Sequence, residues 1–186
     1  MLPKTLKNKV FSLRKATSMG VSRYDLKKLE TQGNIEKISH GLYAAPKGDL
    51  LNEDRFQYAI SRIGEPAIVC LLSALEYYNL TDIVAKEVWL MVPAIKRTRQ
   101  KDIRVFRVTN LHSNIGTIKH KGFSITSIER TLVDSLTHQR QLPTTVGIEA
   151  LRRAIELQKT DLSRVVDMAK KLGVFHRIRS YIEALA

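Results

Sequence analysis

The sequence has little cysteine, no long hydrophobic run and a shortage of acidic residues. Its single cysteine, Cys70, lies in the apolar run AIVCLLSAL, so a disulfide framework is excluded and a reducing cytoplasm is expected. The apolar runs are far shorter than the roughly 20 residues of a membrane-spanning helix. The first residues, MLPKTLKNKV, lack the apolar stretch of a secretory signal. We therefore predict a cytoplasmic protein without a membrane partner.

Sequence motifs for catalysis are also missing. The sequence contains neither of the common glycine-rich phosphate loops and no nucleophile elbow. Its five histidines are scattered, without the spacing that places two metal ligands on one helical face. The polar set Glu129, Arg130 and Asp134 is typical of a structural ion-pair set near the start of a helix. We predict no metal, no cofactor and no enzymatic activity.

Positive charge is present in excess. The 186 residues include 31 lysines and arginines against 18 aspartates and glutamates, a formal charge of +13. Such an excess points toward a polyanion such as nucleic acid, or toward an anionic surface. Residues 1–48 carry ten basic and three acidic residues, a charge of +7. The apolar fraction of 44% is enough to fill a core, so we expect a folded protein.

The segment SRYDLKKLETQG, residues 22–33, predicts a helix with a cationic face. At about 100° per residue, Leu26 and Leu29 fall on one side of this helix. Ser22, followed three residues later by Asp25, resembles a capping box, and the glycine at the end of the segment is suited to end the helix. The opposite side carries side chains that can meet phosphates and base edges. They are Arg23, Tyr24, Lys27, Lys28 and Thr31.

The flanking sequence predicts a helix-turn-helix with a wing. Upstream, VFSLRKATSMG predicts a short helix from about Val10, closed by a turn at Gly20. Downstream, NIEKISHGLYAAP has the pattern of a small hairpin around His40 and Gly41. A winged helix-turn-helix places its second helix in the DNA major groove, while wing cations, here Lys37 and His40, reach the phosphate backbone. The alternative is that the charged face is only solvated or serves a protein contact.

The predicted fold class is α+β: an N-terminal winged helix-turn-helix followed by a mixed α/β domain that ends in a small helical bundle. We place the boundary at residues 46–49, so that a DNA-binding domain spans 1–48 and an α+β domain spans 49–186. In the second domain, NEDRFQYAISRI and residues 68–78 predict helices, and EVWLMVP, IRVFRV and FSIT predict strands. Three or four amphipathic segments after residue 124 predict the bundle, packed on the sheet.

The densest positive charge lies in KRTRQKDIRVFR, residues 96–107, which we interpret as a hairpin loop and the strand that follows it. Its six cations are Lys96, Arg97, Arg99, Lys101, Arg104 and Arg107. A run of cations in a loop is commonly just solvated. The alternatives are a second nucleic-acid contact and a contact with an acidic partner.

In their order, the segments GVSRYDLKKLETQGNIEKISHGLYAAP, CLLSALEYYNLTD, VWLMVP and SIERTLVDSL resemble the AbiEi-type antitoxins of bacterial abortive-infection, or type IV toxin–antitoxin, systems. The resemblance implies a phage-defence protein that represses its own operon by binding promoter inverted repeats with its winged helix. It also implies a C-terminal domain that counters a nucleotidyltransferase-type toxin without a stable complex. The repressor role then falls on Arg23, Tyr24, Lys27 and Lys28, with Lys37 and His40 on the wing. No matching motif assigns the antitoxin role, for which we select the basic residues 96–107.

Two functional hypotheses from different classes follow. In the first, the protein is a DNA-binding autorepressor with an antitoxin domain, and its partners are double-stranded DNA and, functionally, the toxin. In the second, the chain is a non-DNA-binding interaction protein or a tRNA-directed inhibitor that works through residues 96–107. A ligand-responsive regulator is a third option, although no polar pocket can be read from the sequence.

Overall fold

The computed structural model of the protein describes residues 3–7, 9–39, 41–44, 52–109 and 115–184. Within these residues the fold is α+β, with eight α-helices, one short 3₁₀ helix and two β-sheets. No helix in these ranges has both the length and the apolar character needed to cross a membrane. The same ranges contain no group of three or more metal-ligating side chains that could hold an ion.

The chain divides into two compact units, Met1–Glu65 and Pro66–Ala186. We call them the N-terminal unit and the C-terminal unit. The boundary predicted at residues 46–49 lies outside the described residues. The helix that we expected to open the second domain is part of the N-terminal unit.

The N-terminal unit combines helices with a small sheet. Its described elements, in chain order, are a 3₁₀ helix (Lys4–Leu6), β1 (Val10–Ser12), α1 (Leu13–Ser18), α2 (Arg23–Thr31), β2 (Glu36–Ser39), β3 (Leu42–Ala44) and α3 (Asn52–Ile63). Strand β3 lies between the other two strands and is antiparallel to both. The pairing of β2 with β3 confirms the hairpin predicted from NIEKISHGLYAAP.

The first α-helix begins later than predicted. We expected a helix from about Val10, but Val10–Ser12 is a strand paired with β3, and α1 follows it. β-Branched and aromatic residues such as Val10 and Phe11 favour extended backbone where a partner strand is available. Ser12 then caps the helix, because its Oγ accepts the N–H of Lys15 at 3.1 Å. The prediction was therefore wrong for the residues that join the sheet.

The connection between α1 and α2 is a short, hydrogen-bonded turn. Gly20 adopts φ = +81°, which glycine accepts more readily than other residues. Its N–H donates to the Thr17 carbonyl, and the Val21 N–H donates to the Ala16 carbonyl, both at 3.0 Å. Ala16, Val21 and Leu26 are buried in one apolar cluster. The turn thus holds the two helices on a shared core.

Helix α2 has the caps that its sequence predicts. Ser22 Oγ accepts the Asp25 N–H at 3.1 Å, and the Asp25 carboxylate accepts the Ser22 N–H at 3.0 Å. This capping box satisfies N–H groups that the first turn of a helix otherwise leaves without partners. After the helix, Gly33 adopts φ = +72°, the left-handed conformation common beyond a helix C-terminus. Both predicted ends are confirmed.

Helix α3 packs on the strands of the N-terminal unit. The Tyr58 hydroxyl donates to the Glu36 carboxylate at 3.3 Å, and the Arg62 guanidinium donates to the Ile38 carbonyl at 3.2 Å. The Asp54 carboxylate accepts the first N–H of β1 at 3.2 Å. These bonds join α3 to β1 and β2, so the helix belongs to the N-terminal unit.

The C-terminal unit combines a five-stranded sheet with helices. Its described elements are β4 (Ile68–Val69), α4 (Leu71–Tyr77), β5 (Val88–Pro93), β6 (Ile103–Val108), β7 (Thr117–His120), β8 (Phe123–Thr126), α5 (Ile128–Thr137), α6 (Thr144–Glu156), α7 (Leu162–Lys171) and α8 (Phe175–Glu183). The strand order is β6-β5-β4-β8-β7. The last four helices confirm the bundle predicted after residue 124.

The central strand β4 was predicted to be the start of a helix. Ile68 and Val69 instead pair with β5 on one side and with β8 on the other, and helix α4 begins at Leu71. A short apolar run has no periodicity that separates a buried strand from a buried helix. Residues 68–69 form a strand because β5 and β8 lie on both sides and supply backbone hydrogen-bond partners. Strand β7, the other strand of the edge hairpin with β8, was not predicted.

Strands β5 and β6 are parallel, so the prediction of a hairpin loop within residues 96–107 was wrong. Val88 lies opposite Ile103, and Pro93 lies opposite Val108. The connection must therefore return along the length of β5, a span of about 17 Å at roughly 3.3 Å per residue. Residues 94–102 are long enough to cover it when extended.

A buried ion pair lies in the helical layer of the C-terminal unit. Arg130 Nε lies 3.0 Å from Asp134 Oδ2, and both side chains are buried. Arg130 also donates to the Ile115 carbonyl at 2.7 Å. Burial raises the pKa of the Asp134 carboxyl, and the charge of Arg130 limits that rise. These internal contacts fit the structural interpretation of this polar set.

Candidate nucleic-acid interface

Helix α2 has a buried face and a charged face. Leu26 is fully buried, and Leu29 packs against the same apolar cluster. All the α2 side chains that the sequence predicts to contact DNA are exposed. They are Arg23, Tyr24, Lys27, Lys28 and Thr31. The helical period therefore separates the two sets as predicted.

Four of these side chains meet at one shallow cavity. The cavity has a volume of about 460 Å³ and is lined by Tyr24, Lys27, Lys28, Thr31 and Gln32. Gln32 was not predicted, although it lies four residues after Lys28 and therefore on the same helical face. Its amide is a group that can read an adenine edge. Arg23 is exposed but does not line this cavity.

The two lysines of this face, Lys27 and Lys28, have no ion-pair partner among the residues that the structure describes. The carboxylate in the first turn of α2 belongs to Asp25 and is already engaged, because Ser22 Oγ donates to it at 2.6 Å. Hydrogen bonds from the Ser22 side chain and backbone lower the pKa of Asp25. Its negative charge lies at the helix N-terminus, where the helix dipole favours it.

Tyr24 and Thr31 differ in what they can contact. Tyr24 is 77% exposed, so its ring and hydroxyl are both available to a partner. The Thr31 hydroxyl donates to the Lys27 carbonyl at 2.9 Å. A phosphate only accepts hydrogen bonds, so Thr31 would have to give up this bond to bind one. Without that change, Thr31 can only accept a hydrogen bond from a donor group.

The hairpin contributes one described cation of the predicted set. Lys37 is exposed on β2, opposite Tyr43 on β3. Tyr43 stacks on Phe11, with ring centroids 6.1 Å apart, which ties the hairpin to the core. His40, the other residue assigned to the wing, lies outside the described residues.

Two exposed cations of α1 were missed. Arg14 and Lys15 lie in the first turn of α1 and are solvent-exposed. Both lie in the first turn because α1 begins at Leu13. The sequence had predicted a start near Val10, about one turn earlier. With the correct start, both join the candidate phosphate contacts of the N-terminal unit.

Residues 96–107 do not form one continuous surface. Successive strand side chains point to opposite faces of a sheet, so Arg104 and Arg107 of β6 face opposite ways. The Arg104 guanidinium lies over the Trp89 ring, 4.3 Å from its centroid, and donates to Gln141 at 3.3 Å. The basic strand residues are thereby separated from each other.

The loop before β6 carries the other four cations. Arg97, Arg99 and Lys101 are exposed, whereas Lys96 is partly buried. Arg97 folds back onto its own loop, because its guanidinium donates to the carbonyls of Ala94 and Lys96. The loop is thus an irregular, positively charged segment.

The comparison with known proteins concerns the N-terminal unit. Residues 4–46 match the family described as transcriptional regulator, AbiEi antitoxin. A search of curated proteins found no match. The matched segment includes α1, α2 and the β2–β3 hairpin, and therefore all the residues that we assigned to DNA. The resemblance to the AbiEi-type antitoxins is thus confirmed at the N-terminal end of the chain, over residues 4–46.

Proposed function

We propose that the protein is a DNA-binding transcriptional autorepressor and antitoxin of a type IV, AbiE-like toxin–antitoxin operon. The family match over residues 4–46 supports a regulator and antitoxin role. In this proposal the N-terminal unit is a winged helix-turn-helix, α2 enters the DNA major groove, and the β2–β3 hairpin is the wing. The protein acts by binding and does not catalyse a reaction.

The observation that carries the proposal is the outward face of α2. Lys27 and Lys28 lie beside the exposed Tyr24, on a helix whose opposite face is fixed in the core by Leu26. These two lysines form no ion pair with a described residue, which leaves their charge for DNA phosphates, and phosphate contacts supply affinity. Tyr24 and Gln32 line the same cavity and have polar groups for base edges, which supply sequence preference.

The proposed operator is an inverted repeat in the promoter of the protein's own operon. Each copy of the N-terminal unit offers one α2 face, so an inverted repeat needs two copies of the protein on one site.

We assign the antitoxin role to the C-terminal unit, and within it to Arg97, Arg99 and Lys101. These residues are exposed and form no ion pair with another described residue. The proposed target is a nucleotidyltransferase-type toxin, which the protein counters without a stable complex.

A mobility-shift titration tests the repressor role. The purified protein is titrated on its own upstream DNA and on scrambled DNA of equal length, at two salt concentrations. We expect preferential binding to the upstream DNA that weakens as salt rises. Equal, weak binding to both DNAs would contradict the proposal, since α2 would then be a general electrostatic surface.

A further inference from the structure

A second cavity lies wholly within the C-terminal unit. It has a volume of about 540 Å³ and lies where β6, the end of α5, the α5–α6 connection and α8 meet. The side chains that matter for its chemistry are Phe106, His138, Gln139, Arg140, Gln141 and Arg177. The proposed DNA-binding face is in the other unit, so this cavity needs its own explanation.

Two arginines line this cavity, and neither forms an ion pair with a residue that the structure describes. Arg140 has no ion pair with any described residue, and Arg177 donates to the Thr137 carbonyl rather than to a carboxylate. Arg104 adds a third guanidinium, joined to the cavity wall through Gln141. Guanidinium groups present several N–H donors in a plane, an arrangement that matches phosphate oxygens. The cavity therefore offers an anion site with its donors in place.

The remaining wall offers an aromatic surface and amides. The Phe106 and His138 rings meet edge to face, with centroids 4.6 Å apart. The Gln139 amide nitrogen donates to the Tyr181 hydroxyl at 2.8 Å, which leaves its oxygen as an acceptor. The Gln141 oxygen accepts from a guanidinium, which leaves its amide N–H groups as donors. The apolar ring can pack on the face of a nucleobase, and the amide donors and acceptor can pair with its edge.

From this juxtaposition we propose that the cavity binds a nucleoside phosphate. The arginines bind the phosphates, and the wall formed by Phe106 and the two glutamine amides receives the base. The volume lies within the roughly 300–1,000 Å³ typical of small-molecule sites. The protein is thereby a nucleotide-binding protein, independently of its proposed action on DNA.

Calorimetric titration of the full chain with each of the four ribonucleoside triphosphates tests this proposal. Inorganic triphosphate serves as a probe that has the phosphates without the base. We expect saturable binding of at least one nucleotide, tighter than that of inorganic triphosphate. Arg140→Gln should weaken nucleotide binding by about tenfold, the effect of one lost charged hydrogen bond. Phe106→Leu should weaken nucleotide binding while leaving triphosphate binding unchanged.

Arg152→Gln is the matched control. Arg152 is exposed on α6 and does not line the cavity. Its substitution by glutamine removes the same charge as Arg140→Gln. We expect it to bind nucleotide as the unmodified protein does. The proposal fails if no nucleotide binds saturably, or if Arg140→Gln and Arg152→Gln lose affinity equally. It also fails if inorganic triphosphate binds as tightly as the nucleotides, because the base would then make no contact.

Discussion

The charged face of α2 and the segment 96–107 are both rich in cations but differ in architecture. In α2, the helical period brings Tyr24, Lys27, Lys28 and Thr31 to one cavity. In the segment 96–107, an irregular loop is followed by a strand whose side chains alternate between faces. A run of cations in a sequence therefore predicts charge, whereas its period and secondary structure decide whether that charge becomes a single surface.

The two regions also differ in how they are held. Helix α2 has a capping box at one end, a left-handed glycine beyond the other and a fully buried leucine between them. The Arg97 guanidinium, in contrast, donates to carbonyls of its own loop. A helix fixed before binding loses less conformational freedom when it docks than a loop does. We expect α2 to be the region that reads DNA.

The largest expected effect comes from removing the anchor of α2. Leu26→Ala should destabilise the N-terminal unit by about 2–5 kcal/mol, the usual cost of a cavity at a fully buried leucine. DNA binding should be lost with it. Thermal unfolding followed by circular dichroism measures the change. Leu157→Ala, at a half-exposed position, is the control and should change stability by less than about 0.5 kcal/mol. Similar losses in both variants would show that α2 is not held by Leu26.

The next effect concerns the affinity for DNA. Replacing Lys27 and Lys28 together by alanine should cost about 1.5 kcal/mol for each lost charged hydrogen bond, or roughly a hundredfold in affinity. Lys170→Ala with Lys171→Ala is the matched control, because these lysines are also adjacent and exposed but lie on α7. Mobility-shift titration compares the pairs. Equal losses of DNA affinity in the two variants would contradict the assignment of DNA binding to the N-terminal unit.

A smaller effect is expected at the N-cap of α2. Ser22→Ala removes the acceptor of the Asp25 N–H and should destabilise the N-terminal unit by about 1 kcal/mol. Ser163→Ala in the first turn of α7 is the control, since this serine is exposed and is not the cap residue. Chemical denaturation at neutral pH measures both. An unchanged midpoint for Ser22→Ala would mean that the cap does not hold α2.

The same cap predicts a pH dependence. The Ser22 hydrogen bonds lower the pKa of Asp25 below its ordinary value of 3.8, so the native state binds this proton less readily than the unfolded state. The stabilisation is present above pH 3.8 and is lost as the pH falls through the lowered native pKa. Denaturation between neutral pH and pH values below 3.8 should show a smaller acid-induced loss in Ser22→Ala than in the unmodified protein. Identical losses would contradict this assignment.

The smallest effect on DNA binding is expected from the loop. Replacing Arg97, Arg99 and Lys101 by glutamine should change DNA affinity by less than about threefold, because exposed charges outside the interface act only at long range. The same variant should lose its ability to rescue growth when the toxin is co-expressed. Rescue that persists would assign the antitoxin role to another part of the C-terminal unit, and a large loss of DNA affinity would extend the interface to this loop.

Local signals in the sequence predicted the caps and the two faces of α2. The α2 caps and the separation of its two faces depend on residues within about one turn of each other, and the sequence contains all of them. Gln32 could have been found by the same spacing. In contrast, β1 exists because Val10 pairs with Ala44, and β4 exists because Ile68 pairs with Met91. Such distant pairings leave no local pattern.

The second cavity shows the same limit more strongly. Phe106, Arg140 and Arg177 come from a strand, a loop and a helix that are widely separated in the chain. Taken alone, each residue is typical of a protein surface or core. No spacing in the sequence therefore predicts that the three line one cavity. The hairpin loop predicted within residues 96–107 was wrong for a related reason, because the sequence of a loop does not show whether its two strands pair parallel or antiparallel.

The salt dependence of DNA binding tests the central claim most directly. The logarithm of the binding constant on the upstream DNA is measured against the logarithm of the salt concentration for three proteins. They are the unmodified protein, the Lys27→Ala/Lys28→Ala variant and the Lys170→Ala/Lys171→Ala variant. The α2 variant should lower the magnitude of the slope by about two, one for each lost phosphate contact, while the α7 variant leaves it unchanged. Equal slopes for all three proteins would contradict the assignment of α2 as the helix that binds DNA.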